Sequence, residues 1–246
     1  KGGGRVRPPG NNMTKIIERG MIFNAEMVRA ILDGRKTQTR RIMKVQPQPS
    51  KSRPGDFWFS SKKLESMVHV SDLVPGNSLI SDCHLFFQEH CCPYGAVGDR
   101  IWVRETWAEA GASAPDLKLY RANYPAHVPT HYENVPPAED VRWTPSIHMP
   151  RWASRIVLEI TGVRVERLNS ISETDAEAEG IDMEALFDSQ DCYDCIAGHN
   201  MTGRPTATGA FKYLWESIYG SDSWYANPWV WVIEFKRIEG DGYATD

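Results

Sequence analysis

No stretch of these 246 residues approaches the run of about twenty apolar side chains that a membrane-spanning helix needs. The N-terminal residues have no apolar segment of the kind a signal peptide carries, so the expectation is a cytoplasmic chain without a membrane partner. Cysteine is also scarce. Five cysteines in an intracellular chain argue against a disulfide framework. Cys192 and Cys195 have zinc-ligand spacing and His199 follows them, but Cys91 and Cys92 could complete a tetrahedron only if residues 83–92 folded onto that loop. With no well-spaced second pair, free thiols and no bound metal are expected. Internal repeats, a P-loop and a dinucleotide fingerprint are all missing, and no cofactor is expected.

Charge is present but unevenly spread. The formal net charge is −4, yet residues 1–44 carry eleven Lys and Arg against Glu18, Glu26 and Asp33, a net of +8 that leaves −12 for the remainder. A basic patch on an acidic body suits a phosphate-bearing ligand better than sliding along duplex DNA, which needs a wholly basic face. Arg19 and Arg29 read equally well as part of a solvated surface. Nine tryptophans are a heavy load for this length. Those in or beside readable elements, such as Trp102, Trp215, Trp229 and Trp231, are expected in the core, while a minority at a pocket rim could stack on bases.

The length predicts one domain or at most two. Residues 1–12, rich in Gly, Pro and Arg and ahead of Met13, read as an expression or upstream extension, which leaves 13–246 as a single domain. A short strand is predicted over 16–22 and a helix over 25–33. The polar stretch 45–92, with scattered prolines, is too long for a plain loop and reads as an insertion with some order of its own. Val97-Gly98-Asp99 is a turn into a strand over 101–107, in which Ile101, Val103, Glu105 and Trp107 share one face. Glu105 then either points into a pocket or serves as a core ion-pair partner, the more usual outcome for a charge among apolar neighbours. Residues 108–144, with five prolines, form a second irregular insertion, expected as a rim or lid. A β-branched strand at 155–163, a short helix opened by Ser172 and completed by Gly180, a helix through Phe211, Leu214, Trp215 and Ile218, and a last strand from Trp229 to Lys236 follow. Strands interrupted by a few helices, without regular βαβ alternation, predict an α+β, barrel-like domain.

The most informative stretch follows the first helix. Asn24 is a good N-cap, Met27, Val28, Ile31 and Leu32 recur on one face, and Gly34 can take the left-handed conformation that ends the helix. Just past that end lie Arg35, Lys36, Thr37, Thr39, Arg40 and Arg41, a cationic turn bearing hydroxyls, suited to holding an anion or a polar base. The run Ile31-Leu32-Asp33-Gly34-Arg35-Lys36-Thr37-Gln38-Thr39-Arg40-Arg41 resembles the signature of ASCH domains, members of the PUA-like β-barrel superfamily. Three further stretches carry the resemblance in the family's order: Val97 through Trp107, Ile171 through Gly180, and Trp229 through Phe235. The segment Pro145 to Trp152 is similar to longer phage and prophage members.

The resemblance implies a PUA-like β-barrel with several short helices, enlarged by irregular insertions near 45–92 and 108–144. It also implies a site. Small ASCH proteins include an amidohydrolase that removes the acetyl group from the exocyclic nitrogen of acetylcytidine with a lysine, a threonine and a glutamate. The family's motifs place these at Lys36, Thr39 and Glu179, the last within Ala176-Glu177-Ala178-Glu179. A threonine hydroxyl needs a base to become a nucleophile, and a lysine serves when burial or nearby cations such as Arg35, Arg40 and Arg41 push it toward the neutral form. A carboxylate is the natural acceptor for the amino group of cytosine and can assist its departure. Lys36 and Thr39 are three apart and would face opposite ways on a regular strand, so the chain must bend between them.

Arg35, Arg41, Glu105, Trp107, Arg151 and Trp152 are the candidate substrate-binding residues, with Arg151 and Trp152 expected to clamp phosphate and stack a base. These two are also explicable as a packing pair at a strand edge. Plainer roles exist for the proposed triad as well: Thr39 supporting the turn, Lys36 contacting phosphate, Glu179 neutralising an arginine. Relatives of the family include plain RNA binders and proposed ribonucleases. The expected function is therefore binding of a modified pyrimidine nucleoside, nucleotide or single-stranded nucleic acid, with hydrolysis of an acyl-amide on the base; the rivals are a non-catalytic reader and a ribonuclease. As pocket groups, Thr39 and Glu179 are expected to be replaceable without unfolding the chain.

Overall fold

The computed structural model describes residues 16–76, 83–112, 114–188 and 206–238. Its strands, in chain order, are β1 (Glu18–Ile22), β2 (Gln38–Ile42), β3 (Gln48–Pro49), β4 (Phe57–Ser61), β5 (Ser66–His69), β6 (Arg100–Arg104), β7 (Trp107–Glu109), β8 (Lys118–Tyr120), β9 (Val157–Arg167) and β10 (Trp229–Ile238). The α-helices are α1 (Ala25–Leu32), α2 (Cys83–Cys91), α3 (Glu173–Ala178), α4 (Met183–Asp188) and α5 (Ala207–Tyr219). No described helix is long and apolar enough to cross a membrane. Cys192, Cys195 and His199 lie outside the described residues, among which no group of His, Cys, Asp and Glu is placed to hold a metal.

The architecture is α+β, organised by a five-stranded sheet of order β1-β6-β9-β10-β2. β1 runs parallel to β6, and the other neighbours are antiparallel. β10 fixes both layers because its apolar run has no polar side to give to solvent. Trp229, Trp231, Ile233 and Phe235 enter one core with Phe23, Val28 and Ile31, while Val230 and Val232 enter another with Phe211 and Trp215 of α5. The period of two assigns alternate residues to opposite faces, and each such side chain contributes about 1.5–3 kcal/mol over its exposed state.

α1 starts where Asn24 Oδ1 accepts from the Met27 amide at 2.8 Å, and stops at Gly34, whose φ is +78°. Val28 and Ile31 on its inner face are buried and pin the helix to the sheet. The first insertion is ordered by the antiparallel β3-β4-β5 sheet and α2, and it adds Phe59, Val68, Leu73 and Cys92 to the main core. The second contains the β7-β8 pair, and a small core of Trp107, Tyr120, Met149 and Ala153 forms beside it.

The strand predicted over 101–107 is broken. β6 ends at Arg104, and β7 starts at Trp107 with new partners, β8 and Thr144. At the break Glu105 meets Arg155, which forks its carboxylate with Nε and Nη2, each at 2.9 Å. Asn123 Oδ1 takes another bond from the same guanidinium at 2.9 Å, and the ring of Tyr120 lies under it, 4.0 Å from centroid to Cζ. Of the two roles read from the strand pattern, Glu105 takes that of a core ion-pair partner. Glu105→Gln should cost about 1–3 kcal/mol in urea unfolding, because Arg155 would face a neutral amide in place of its counter-charge.

Strand pairing leaves the five-stranded sheet with two edges, β1 and β2. A side chain spans them: Arg41 of β2 donates from Nη2 to the Ile22 carbonyl of β1 at 2.8 Å, with its guanidinium 5.3 Å from the Phe23 ring centroid.

Candidate functional site

The site grows from the turn after α1. Gly34 ends the helix, and the next backbone bonds hold the chain against two other elements: the Lys36 amide donates to Ala30 O at 2.9 Å, and Lys36 forms an isolated antiparallel bridge with Glu179. The Thr37 amide donates to Ala178 O and its carbonyl accepts from the Phe235 amide, both at 2.8 Å. One residue therefore hands the chain from the end of α3 to β10. Lys36 lies before β2 begins, so the strict alternation that would set it opposite Thr39 does not run through it.

α3 is brought there by its caps. Ser172 Oγ accepts from the Asp175 amide at 3.1 Å, and the helix ends at Glu179 and Gly180. Gly180 has φ +100°, and a Cβ on it would stand 2.8 Å from Ala30 Cβ and 3.0 Å from Lys36 Cβ. Only glycine lets α1 and the Lys36 segment approach so closely.

Lys36 and Glu179 are both buried, with side-chain exposures of 0% and 2%. Lys36 Nζ donates to Glu179 Oε2 at 2.7 Å and to its backbone carbonyl at 2.8 Å. Glu179 Oε1 accepts from Arg40 Nη1 at 3.1 Å. Arg40 Nη2 reaches Glu166, and lies 3.3 Å from Asp175 Oδ2. Arg164 closes the network on Glu166 at 3.1 Å and Asp175 at 3.0 Å. With Glu234, which Arg164 Nη1 also reaches, three cations and four carboxylates are joined in one cluster.

Burial pushes the Lys36 ammonium below its ordinary pKa, with Arg41 and Arg40 acting the same way and Glu179 opposing. Burial would raise the Asp175 carboxyl, but Arg164 and Arg40, with hydrogen bonds from Gln38 and Ser172, more than offset it and hold it low. A carboxylate depressed on folding stabilises the fold above its unfolded value, near 3.8, and that contribution is lost as pH falls through the folded value. Asp175→Asn should therefore flatten the acid limb of a stability-versus-pH curve below about pH 4, read by thermal melts.

Thr39 is buried on β2, and its hydroxyl has no hydrogen bond to another described residue. It lines an inner chamber of about 20 Å³ together with Glu179, Arg41, Phe211 and Leu214. That is room for one water. Glu179, Met27 and Leu214 also line a wider cleft of about 540 Å³ between α1 and α5, whose mouth includes Arg29, Arg35 and Tyr213. The cleft is of a size that takes a small organic ligand. Glu179 is shared by the cleft and the chamber; Thr39 and Arg41 line the chamber, Arg35 lines the cleft, and Lys36, bonded to Glu179, lines neither. No family model matches the chain, nor does any curated protein or solved structure.

The remaining candidates lie elsewhere. Trp107 is buried in its own small core, and its Nε1 has no hydrogen-bond partner among the described residues. Trp152 is 53% exposed and stands edge-on to Trp107 at 5.3 Å, with Lys118 Nζ 5.6 Å from its ring centroid. Arg151 donates to Glu18 Oε2 at 2.9 Å. None of Glu105, Trp107, Arg151 and Trp152 lines the α1/α5 cleft or the chamber. Arg35 is turned to the Gly180 carbonyl at 2.8 Å and to Asp33 at 2.9 Å, so the positive charge acting on Lys36 comes from Arg41 and Arg40.

Sequence reasoning used Arg40 only as a source of positive charge, and overlooked it as a fixed member of the site. The signal was available: alternation sets Arg40 beside Gln38 and Ile42 on one face of β2, and Gln38 and Arg40 both turn toward Asp175.

Proposed function

We propose that the α1/α5 cleft takes a modified pyrimidine nucleoside and that Lys36, Thr39 and Glu179 hydrolyse an acyl-amide on its base. The observation that carries this reading is the conjunction of a fully buried lysine, with its pKa pushed down and bonded to Glu179, and of Thr39, which lines the same chamber as Glu179 and whose hydroxyl has no hydrogen bond to another described residue. Thr39 Oγ attacks the acyl carbon while Lys36, in its neutral form, receives the hydroxyl proton. Glu179 accepts a hydrogen bond from the exocyclic N–H, and the amine leaves with the proton returned to it. Water then cleaves the threonine ester, releasing the acid and restoring the hydroxyl.

The cluster joins four carboxylates to Lys36, Arg40 and Arg164, so it has no positive charge to spare for a phosphate and favours a neutral amide over a phosphodiester. In this reading the sheet is a PUA-like barrel of the ASCH type, with the Arg41 link from β2 to β1 supporting closure where strand pairing stops. A second reading, a non-catalytic reader of modified nucleosides or single strands, draws on the two Glu179 oxygens being already engaged by cations. Incubation with acetylcytidine and other acylated cytidines, followed by mass spectrometry, separates the outcomes. Deacylated nucleoside is expected; saturable binding without product transfers the site to the reader, and cut RNA in a parallel incubation would instead support a ribonuclease.

A further inference from the structure

A second cavity, of about 390 Å³, lies between the first insertion and the sheet, where the chain leaves β2 and where β4 and α2 pack. Met43, Phe59 and Tyr94 line its apolar part, with Trp231 behind Phe59 in a T-shaped contact at 6.2 Å. Lys44, Lys62 and Lys63, all exposed, stand around it. Lys44 and Lys62 have no carboxylate partner among the described residues, and Lys63 Nζ only approaches the Glu89 carbonyl at 3.4 Å. Arg19, also on the wall, is already paired with Asp99 at 2.9 Å. Glu89 is the one carboxylate among the described lining residues, which leaves the three lysines in excess.

Two other chemistries fit poorly. Burial raises the thiols of Cys91 and Cys92, the latter to about 12, so both stay protonated near neutral pH and neither is a ready nucleophile. No described group of His, Cys, Asp and Glu there could hold a metal. A neutral, half-aromatic wall beneath uncompensated lysines matches a ligand with a flat apolar body and a dianionic end. The volume fits one such unit and is too small for a duplex or a folded partner.

We propose that this cavity is a nucleotide-binding site, distinct from the Lys36 cluster, in which Lys44 and Lys62 hold the phosphate and the Met43, Phe59 and Tyr94 surface contacts the base. Compact ammonium groups serve as point charges for phosphate, and aromatic walls accept any base by its π-face. The nucleotide is either free or one unit of a single strand. The site does not depend on hydrolysis in the α1/α5 cleft, and its positive excess supplies what the carboxylate-rich cluster lacks.

The test is calorimetric titration of nucleoside 5′-monophosphates, the matching nucleosides and inorganic phosphate into the wild-type protein and Lys44→Glu/Lys62→Glu. Monophosphates are expected to saturate at or below about 1 mM, to weaken with added salt, and to lose at least about tenfold in affinity in the double lysine variant. The exposed lysines carry no core contact, and circular dichroism checks that the double variant remains folded. A single-stranded pentanucleotide that binds more tightly than the monophosphate, with the same lysine dependence, assigns the site to a strand; equal or weaker binding assigns it to the free nucleotide. The proposal is overturned if no monophosphate saturates, if the double variant binds equally well, or if inorganic phosphate alone binds as tightly as the nucleotide.

Discussion

Glu179→Ala is expected to lower stability by about 3–5 kcal/mol, a large fraction of what holds a domain together. The sequence pointed to a simple pocket substitution, but the side chain is 2% exposed and is the counter-ion of two buried cations, so a loss of stability is expected. Arg40 would keep Glu166 and Asp175, but Lys36 would be left with the backbone carbonyl at position 179 alone. A buried ammonium without its carboxylate escapes by losing its proton. Its folded pKa already lies below the unfolded value of 10.5, so the unfolded chain binds more protons in the window between the two. Stability must then rise with pH across that window. Urea unfolding should accordingly find a larger deficit for Glu179→Ala at pH 7 than at pH 9, and a smaller loss for Glu179→Gln, which keeps an acceptor. A Glu179→Ala protein within about 1 kcal/mol of wild type would refute the counter-ion role.

Thr39→Ala should do the opposite: little to the fold and nearly everything to turnover. The hydroxyl has no hydrogen bond to a described residue, so its removal leaves no partner stranded. Loss of one buried methyl costs about 1 kcal/mol. If Oγ forms the bond to the acyl carbon, kcat should fall by at least about 10³-fold while affinity for the unreacted nucleoside changes by less than about threefold, since one hydroxyl carries little ground-state binding. Thr39→Ser, which retains the nucleophile, should keep measurable activity. Product by mass spectrometry and affinity by calorimetry read the two effects separately. Hydrolysis undiminished in Thr39→Ala would remove the nucleophile assignment and leave the cleft a binding site.

Much of this arrangement was legible where local chemistry and tertiary contact agree. Asn24, the apolar face of α1 and Gly34 announce a helix and its end, because a cap, a stripe and a left-handed stop are all satisfied within a dozen residues. Ser172 and Gly180 do the same for α3. Alternation put Ile101, Val103, Glu105 and Trp107 on one face, and all four are buried, but a pattern of period two cannot report that the strand ends at Arg104 and that pairing with β8 begins at Trp107. The interior order of residues 45–92 was hidden for a related reason: β3 and β4 are short, and their support comes from the main core through Phe59 and from α2, not from their own periodicity. At the site, the family resemblance pointed to Lys36, Thr39 and Glu179, but the partition of charge did not show. Which arginine is spent on which carboxylate depends on contacts such as Arg40 to Glu166 and Arg164 to Asp175, made between strands and helices distant in the chain.

β2 has a single neighbour in the sheet, and that neighbour is the last strand: Gln38 pairs with Glu234, and Thr39 with Ile233. The segment bearing Lys36 and Thr39 is therefore made early during synthesis and docked late. The Lys36 amide bonds at once to Ala30 O, but β2 itself waits for almost the whole remaining chain before it pairs, a closure of high sequence separation that slows folding. The same topology sets the order of loss. An edge strand held on one side by one neighbour is the natural first piece to peel away, which would dismantle the chamber while β6, β9 and β10 remain packed. Mild denaturant should then produce a compact, inactive species before global unfolding, and hydrogen exchange at Thr39 and Arg41 should run ahead of that at Val232 and Ile160.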